Sequence, residues 1–220
     1  MLQELELKLE YKFKDIKILA KALTHSSFSN VSLNSNERLE FLGDKVLGNI
    51  VAFILYESYP KKDEGFLSRF FSYLTSEEVL VLVGKKLEIS NYIKHNTSLE
   101  DSVIADSIEA IIASIYIDCG DINTVKKFIK NYWDVYIQSY NEESIYKNFN
   151  PKSTLQDWAQ KHKLKIPEYI DVAKEGDDHN PIFLVKVEVE GYKAEEGRGK
   201  NKKNAQKEAA QKFIEIHKIN

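Results

Sequence analysis

The sequence predicts two domains of different class: an all-α domain over residues 1–140 and a small α+β domain of order α-β-β-β-α over residues 153–220. Three observations carry this. Apolar residues recur at helical spacing through the first 140 positions, with no strand-like alternation. Residues 141–152 are polar and include Asn148, Asn150 and Pro151, the composition of a linker. Beyond them the hydrophobic period changes from that of a helix to that of strands and back again.

Taken in order, residues 13–23 are apolar at helical spacing, and residues 34–36 offer caps for a helix running to about Tyr59, which Pro60 stops. Residues 61–65 form a polar turn. Helical patterns follow over 66–73 and over 76–87, the second headed by Ser76 as N-cap. A helix over 103–116 ends at Asp118-Cys119-Gly120-Asp121, where glycine supplies the stop. Another helix over about 122–139 closes the domain. In the second domain residues 153–162 read as a helix, 169–173 and 183–189 alternate as strands, and residues 191–196 turn into a third strand. Residues 202–217, with alanines at 205, 209 and 210, make a closing helix, and a small sheet with two helices on one face follows from this order.

At 43% apolar and 30% charged residues the chain can build real cores and stay in water. Residues 1–9 alternate acids with leucines and have no signal-peptide core. The longest apolar run, residues 103–117, contains Asp106 and Glu109 and is no membrane span. One cysteine, Cys119, excludes an internal disulfide and reads as a structural thiol in a reducing compartment. A cytoplasmic protein is expected. The net charge of −3 averages unlike halves. Residues 151–220 carry 14 Lys+Arg against 12 Asp+Glu, a balance of +2, which leaves residues 1–150 at −5. The stretch 198–207 holds Arg198, Lys200, Lys202, Lys203 and Lys207 without one acid. That division fits catalysis in the first domain and a grip on RNA in the second.

Two helical stretches carry the chemistry. Glu37, Glu40 and Asp44 lie at i, i+3 and i+7, on one stripe, and Asp106 and Glu109 lie at i and i+3. Like charges so spaced cost a helix a few tenths of a kcal/mol. Such acids serve as solvated faces of amphipathic helices, or they gather around a hard cation such as Mg²⁺. Two details favour the cation. Phe41 lies about 40° from Glu37, on the acidic side of its helix, and Ala113 falls between Asp106 and Glu109 in angle, a small residue beneath the acids. Glu64, before Gly65, reads on sequence alone as a turn acid. His25 has no histidine or cysteine near it at ligand spacing and reads as a packing or capping residue.

These motifs resemble a known family, bacterial ribonuclease III. Asn36-Glu37-Arg38-Leu39-Glu40-Phe41-Leu42-Gly43-Asp44-Lys45-Val46-Leu47 is close to its signature helix, with Lys45 where a small residue is usual. Thr24-His25-Ser26-Ser27, Asp63-Glu64-Gly65-Phe66-Leu67-Ser68 and residues 103–116 look like its other nuclease motifs. Leu155-Gln156-Asp157, Gly176-Asp177-Asp178-His179 and residues 197–205 look like the helix, loop and helix start of a double-stranded-RNA-binding domain. The resemblance covers nearly the whole chain. It implies an endoribonuclease that hydrolyses double-stranded RNA with Mg²⁺, Mn²⁺ substituting, and leaves staggered ends with 5′-phosphates and 3′-hydroxyls. Glu40, Asp106 and Glu109 would hold the metal, with Asp44 and Glu109 tied most closely to catalysis. A homodimer is implied, with Glu64 reaching towards the partner's site; Phe41, an aromatic on the polar side of its helix, reads either as an intersubunit plug or as an isolated exposed aromatic. Glu37 would position a metal water or the substrate. Processing of ribosomal RNA precursors and other structured transcripts is the implied role.

In the second domain Lys200, Lys202 and Lys203 flank a helix start, where lysines and the helix N-terminus attract phosphates. Gln156 and Gln160 share a helix face and can reach 2′-hydroxyls and base edges, while His179 can enter the next minor groove. Trp158 is assigned to the core or to a contact with the linker. Two rivals stand beside the nuclease reading. One is a non-catalytic double-stranded-RNA-binding protein, against which the intact acid set argues. The other is an all-α phosphohydrolase of small nucleotides, which leaves the second domain unexplained. The chain departs from the family at Lys45, at Cys119, where glycine is usual, and over residues 91–102, a short segment lacking a basic, glycine-rich stretch.

Overall fold

The computed structural model describes residues 2–28, 34–140, 151–176 and 181–219, and the chain divides into two compact units, 1–140 and 141–220. His179 and the expected linker positions 141–150 lie outside the described residues.

The first unit is helical. Its elements are α1 (Leu2–Leu9), α2 (Ile16–Ala22), α3 (Glu37–Ser58), α4 (Glu64–Leu74), α5 (Glu77–Leu87), α6 (Asp101–Cys119) and α7 (Ile122–Gln138). Side-chain caps set several starts: Asp15 accepts from Lys17 N, Ser76 from Val79 N, and Asp121 from Asn123 N and Thr124 N. Asp63 accepts from Phe66 N, so α4 begins at Glu64, two residues before the expected start. Asn36 occupies the N-cap position of α3, as expected, but its side chain makes no capping bond; the turn is held by its backbone, with N–H donated to Thr24 O at 2.8 Å. Gly120 adopts φ +67° at the end of α6, the left-handed geometry that glycine tolerates.

Helix α6 runs through the middle of the unit, buried on nearly every side and packed against α2, α3, α5 and α7. That is why its apolar run is long without being a membrane span: it is solvated by protein. No helix among the described residues is long and apolar enough to cross a membrane. Its closest approach is to α3. A Cβ on Gly43 would lie 1.8 Å from the Glu109 carbonyl oxygen, so only glycine lets these backbones touch. At its far end Asp118, 9% exposed, accepts from Tyr11 Oη at 2.6 Å, Lys14 N at 2.9 Å and Asp15 N at 3.0 Å. Those bonds anchor the segment between α1 and α2 to α6.

The second unit consists of α8 (Pro151–Lys161), β1 (Glu168–Glu175), β2 (Ile182–Glu188), β3 (Glu195–Gly199) and α9 (Lys202–Ile216). The sheet is antiparallel in the order β1-β2-β3, with a register shift between Asp171 and Ala173. This is the α-β-β-β-α order read from the sequence. Helix α8 starts at Pro151, not Ser153, so Pro151 and Lys152 belong to the helix and not to the linker. Proline is at home in a first turn, whose N–H groups have no helical acceptor. Leu155, Trp158, Ala159, Val187, Val189, Phe213 and Ile214 form the core. The close fit of α9 on β3 explains the glycines and alanines together. A Cβ on Gly197 would stand 2.1 Å from Ala209 N, and one on Gly199 would stand 2.4 Å from Ala205 N.

Candidate active site

The Gly43–Glu109 approach brings the acidic stripe of α3 beside that of α6. One carboxylate oxygen each from Glu40, Asp106 and Glu109 lie within 4.8 Å of one another, all three side chains half-buried. Ala113, the small residue whose helical angle falls between Asp106 and Glu109, is fully buried. Burial, then Asp106, Glu37 and Asp44, raise the Glu40 carboxyl above its ordinary value. Burial also raises Asp106, against the opposing pull of His25 and with help from Glu77. Glu109 is pushed up to about 8 by burial first and by Asp44, Asp106 and Glu40 after it, with Lys45 opposing. Three acids that resist ionising together form a site that a cation would complete. The donor set is all oxygen and hard. It fits Mg²⁺, which takes a few carboxylates and keeps several waters.

Of the other expected residues, Asp44 and Glu37 bear on this group through their charges. Asp44 stands outside the three-oxygen set and accepts from Lys45 Nζ at 2.6 Å. Glu37 is exposed in the first turn of α3 and accepts from Ser35 Oγ at 3.0 Å. Glu64 is exposed and accepts from Ser68 Oγ at 2.6 Å. Phe41 is 70% exposed, an aromatic ring on the polar side of a helix.

His25 and Glu77 also act on Asp106 through their charges. His25 is set by a bridge between Thr24 and Lys94, its own N–H donated to Lys94 O at 3.0 Å, and its Nδ1 pairs with Ser27 Oγ at 2.8 Å. The run of polar residues around it was the signal available in the sequence. For Glu77 there was none, because the packing of α5 on α6 brings it there.

In the second unit Gln156 and Gln160 are exposed one turn apart on α8, and Lys200, Lys202 and Lys203 are exposed at the start of α9, whose N-cap Asn201 accepts from Asn204 N. Lys202 is ion-paired with Asp171 of β1. Trp158 is in the core, 9% exposed.

Comparison with known proteins agrees with this geometry. The ribonuclease-III-like family matches residues 15–135, and the double-stranded RNA binding motif matches residues 151–217. The chain is 38% identical over 213 residues to ribonuclease 3 of Pelagibacter ubique, covering 94% of this chain and 93% of that protein. It is 35% identical to ribonuclease 3 of Histophilus somni, covering 99% of each. Among solved structures, a nuclease domain of ribonuclease III from Campylobacter jejuni, studied for flexibility in a region involved in dimer formation, aligns with a TM-score of 0.57 and 32% identity. It covers 61% of this chain and 99% of that domain. With the motifs of α3 and α6 meeting in space and both units matched along nearly their full lengths, the chain belongs to the ribonuclease III family.

Proposed function

We propose that this protein is a Mg²⁺-dependent endoribonuclease, with Mn²⁺ able to substitute, that hydrolyses phosphodiester bonds in double-stranded RNA. Its ends are staggered and carry 5′-phosphates and 3′-hydroxyls. It works in the cytoplasm on ribosomal RNA precursors, messenger RNAs and other structured transcripts. The observation that carries this reading is the meeting of Glu40, Asp106 and Glu109 from two helices, in a chain whose second unit is a double-stranded RNA binding motif.

Glu40, Asp106 and Glu109 are the residues that would hold the cation. A divalent ion there supplies activation of water and neutralises charge on the phosphate. Asp44, beside Glu109, orients the attacking water, whose oxygen bonds to phosphorus as the 3′ oxygen leaves. Glu37 positions a further water or the substrate. Two copies of the chain place two such sites across the duplex, with Phe41 filling a recess of the partner and Glu64 completing the partner's site. An apolar ring as exposed as Phe41 gains by burial, which supports this role. Gln156, Gln160, His179, Lys200, Lys202 and Lys203 hold the duplex by its shape, phosphates and 2′-hydroxyls.

The test is cleavage of an end-labelled RNA duplex in Mg²⁺ or in EDTA by the wild type and Glu109→Ala. Cutting that needs Mg²⁺ and is lost in the variant, while gel-shift binding persists, is the expected result. Binding without cutting by the wild type would replace the nuclease with a non-catalytic RNA-binding protein.

A further inference from the structure

Lys45 follows Asp44 directly in α3. Side chains at i and i+1 of a helix diverge by about 100° and do not face each other. A contact between them requires one to lie back over the helix surface. Lys45 does this: its Nζ donates to Asp44 Oδ2 at 2.6 Å and stands 5.9 Å from the centre of the Phe41 ring, one turn back along α3. Burial does not drive the arrangement, because the Lys45 side chain remains 66% exposed. The acids do. Asp44 touches the ammonium, and Glu109 of α6 also feels its charge. Asp44, whose charge bears on both Glu40 and Glu109, meanwhile stands outside the group formed by Glu40, Asp106 and Glu109.

We infer that Lys45 is a positioning residue that holds Asp44 away from the three-carboxylate group and thereby sets the affinity of that group for a divalent cation. The inference rests on the reading that Glu40, Asp106 and Glu109 hold such a cation. An exposed ion pair is weak in water. A divalent ion can therefore draw Asp44 from the ammonium, and the Lys45–Asp44 contact becomes the step that binding must reverse. In the cation-free protein the same contact places one positive charge beside a cluster of acids and relieves part of its repulsion.

The experiment measures Mn²⁺ binding to the full chain without RNA, from the free-ion electron paramagnetic resonance signal at pH 7.5. The proteins are the wild type, Lys45→Met, Asp44→Asn and the double variant. Methionine keeps the length of the stem without the charge. Lys45→Met is expected to bind Mn²⁺ about two- to fivefold tighter, the equivalent of up to roughly 1 kcal/mol for an exposed ion pair that the cation no longer has to break. The gain should shrink to less than about twofold in the Asp44→Asn background, the signature of a residue acting through another. Equal affinities of the wild type and Lys45→Met would overturn the inference and leave the cation site standing. A gain that persists undiminished with Asn at position 44 would also overturn it, since Lys45 would then act directly on the other three acids. Absence of Mn²⁺ binding by the wild type would overturn the inference and the cation reading together.

Discussion

Glu109 pays for its position in ordinary stability. Its carboxyl stands near 8 because burial and then Asp44, Asp106 and Glu40 disfavour its charge. An acid raised in the folded state binds more protons there than in the unfolded chain. Without a cation, folding therefore weakens as the pH rises from about 4.5 towards 8. Glu109→Gln should raise the melting temperature in EDTA, by a few degrees at pH 8.5 and hardly at all near pH 4.5. The same variant should weaken Mn²⁺ binding by at least about tenfold, since changing even an outer partner of a metal ligand costs that much. Calorimetric melting and a Mn²⁺ titration read the two effects. In the second unit Asp171 occupies Lys202, one of the lysines at the start of α9. The pair is exposed, and a phosphate taking the lysine would have to break it. Asp171→Asn should tighten binding to an RNA duplex by up to about fivefold, the equivalent of roughly 1 kcal/mol for an exposed pair. Gel-shift at fixed salt checks this, and an unchanged affinity would mean that Lys202 stays off the phosphates.

Helix α6 joins the unit's core to its chemistry. One face carries Asp106 and Glu109 and its centre carries Gly43's counterpart surface at the Glu109 carbonyl, while its last turn carries Asp118. Gly43→Ala must part the backbones of α3 and α6, because the added carbon would overlap a carbonyl that cannot rotate away. A loss of about 2 kcal/mol or more is expected from overpacking of this kind. Mn²⁺ affinity should fall as well, because Glu40 separates from Asp106 and Glu109. Denaturant unfolding and the Mn²⁺ titration measure the two losses. At Asp118 burial opposes the charge, but hydrogen bonds from Tyr11, Lys14 N and Asp15 N outweigh it and hold the carboxyl below its usual value. A depressed acid stabilises the fold above its unfolded pKa and loses that contribution as the pH falls through the folded one. Asp118→Asn should therefore cost about 1.5–3 kcal/mol at pH 7, the range for hydrogen bonds to a charged group. The deficit should narrow as the pH drops below about 4. Urea unfolding at pH 7 and pH 3.5 compares them.

For the whole molecule the division into two units predicts separable behaviour. A fragment of residues 141–220 has its own core of Leu155, Trp158, Val187 and Phe213. It should fold alone and bind an RNA duplex without divalent ion, with affinity falling steeply as salt rises. A fragment of residues 1–140 should retain Mn²⁺ binding and cut a duplex only at low salt, where the loss of the second unit's grip matters least. Gel-shift and cleavage assays across a salt series test both fragments. Failure of 141–220 to bind would remove Lys200, Lys202 and Lys203 from the proposed RNA contact.

What the sequence determined by itself is the local pattern. Helical period, the stop at Gly120, the cap at Ser76, the change of period after residue 152 and the i, i+3 spacing of Glu37 with Glu40 and of Asp106 with Glu109 are all short-range properties, legible wherever they occur. The start of α4 slipped because Asp63 caps it, and the start of α8 slipped because proline is as good an opening as a stop. Only the tertiary structure decided which acids meet. Glu40 joins Asp106 and Glu109 because Gly43 admits the Glu109 backbone, a contact between residues 66 positions apart that neither helix announces. Asp118 reads as part of a stop signal until the chain near Tyr11 folds onto it. Lys45 points away from Asp44 on any helical wheel, and lies back across the surface once the acids of a second helix stand beside the first. Periodicity is written in each segment, whereas electrostatic fields and close approaches arise between segments, when folding brings them together.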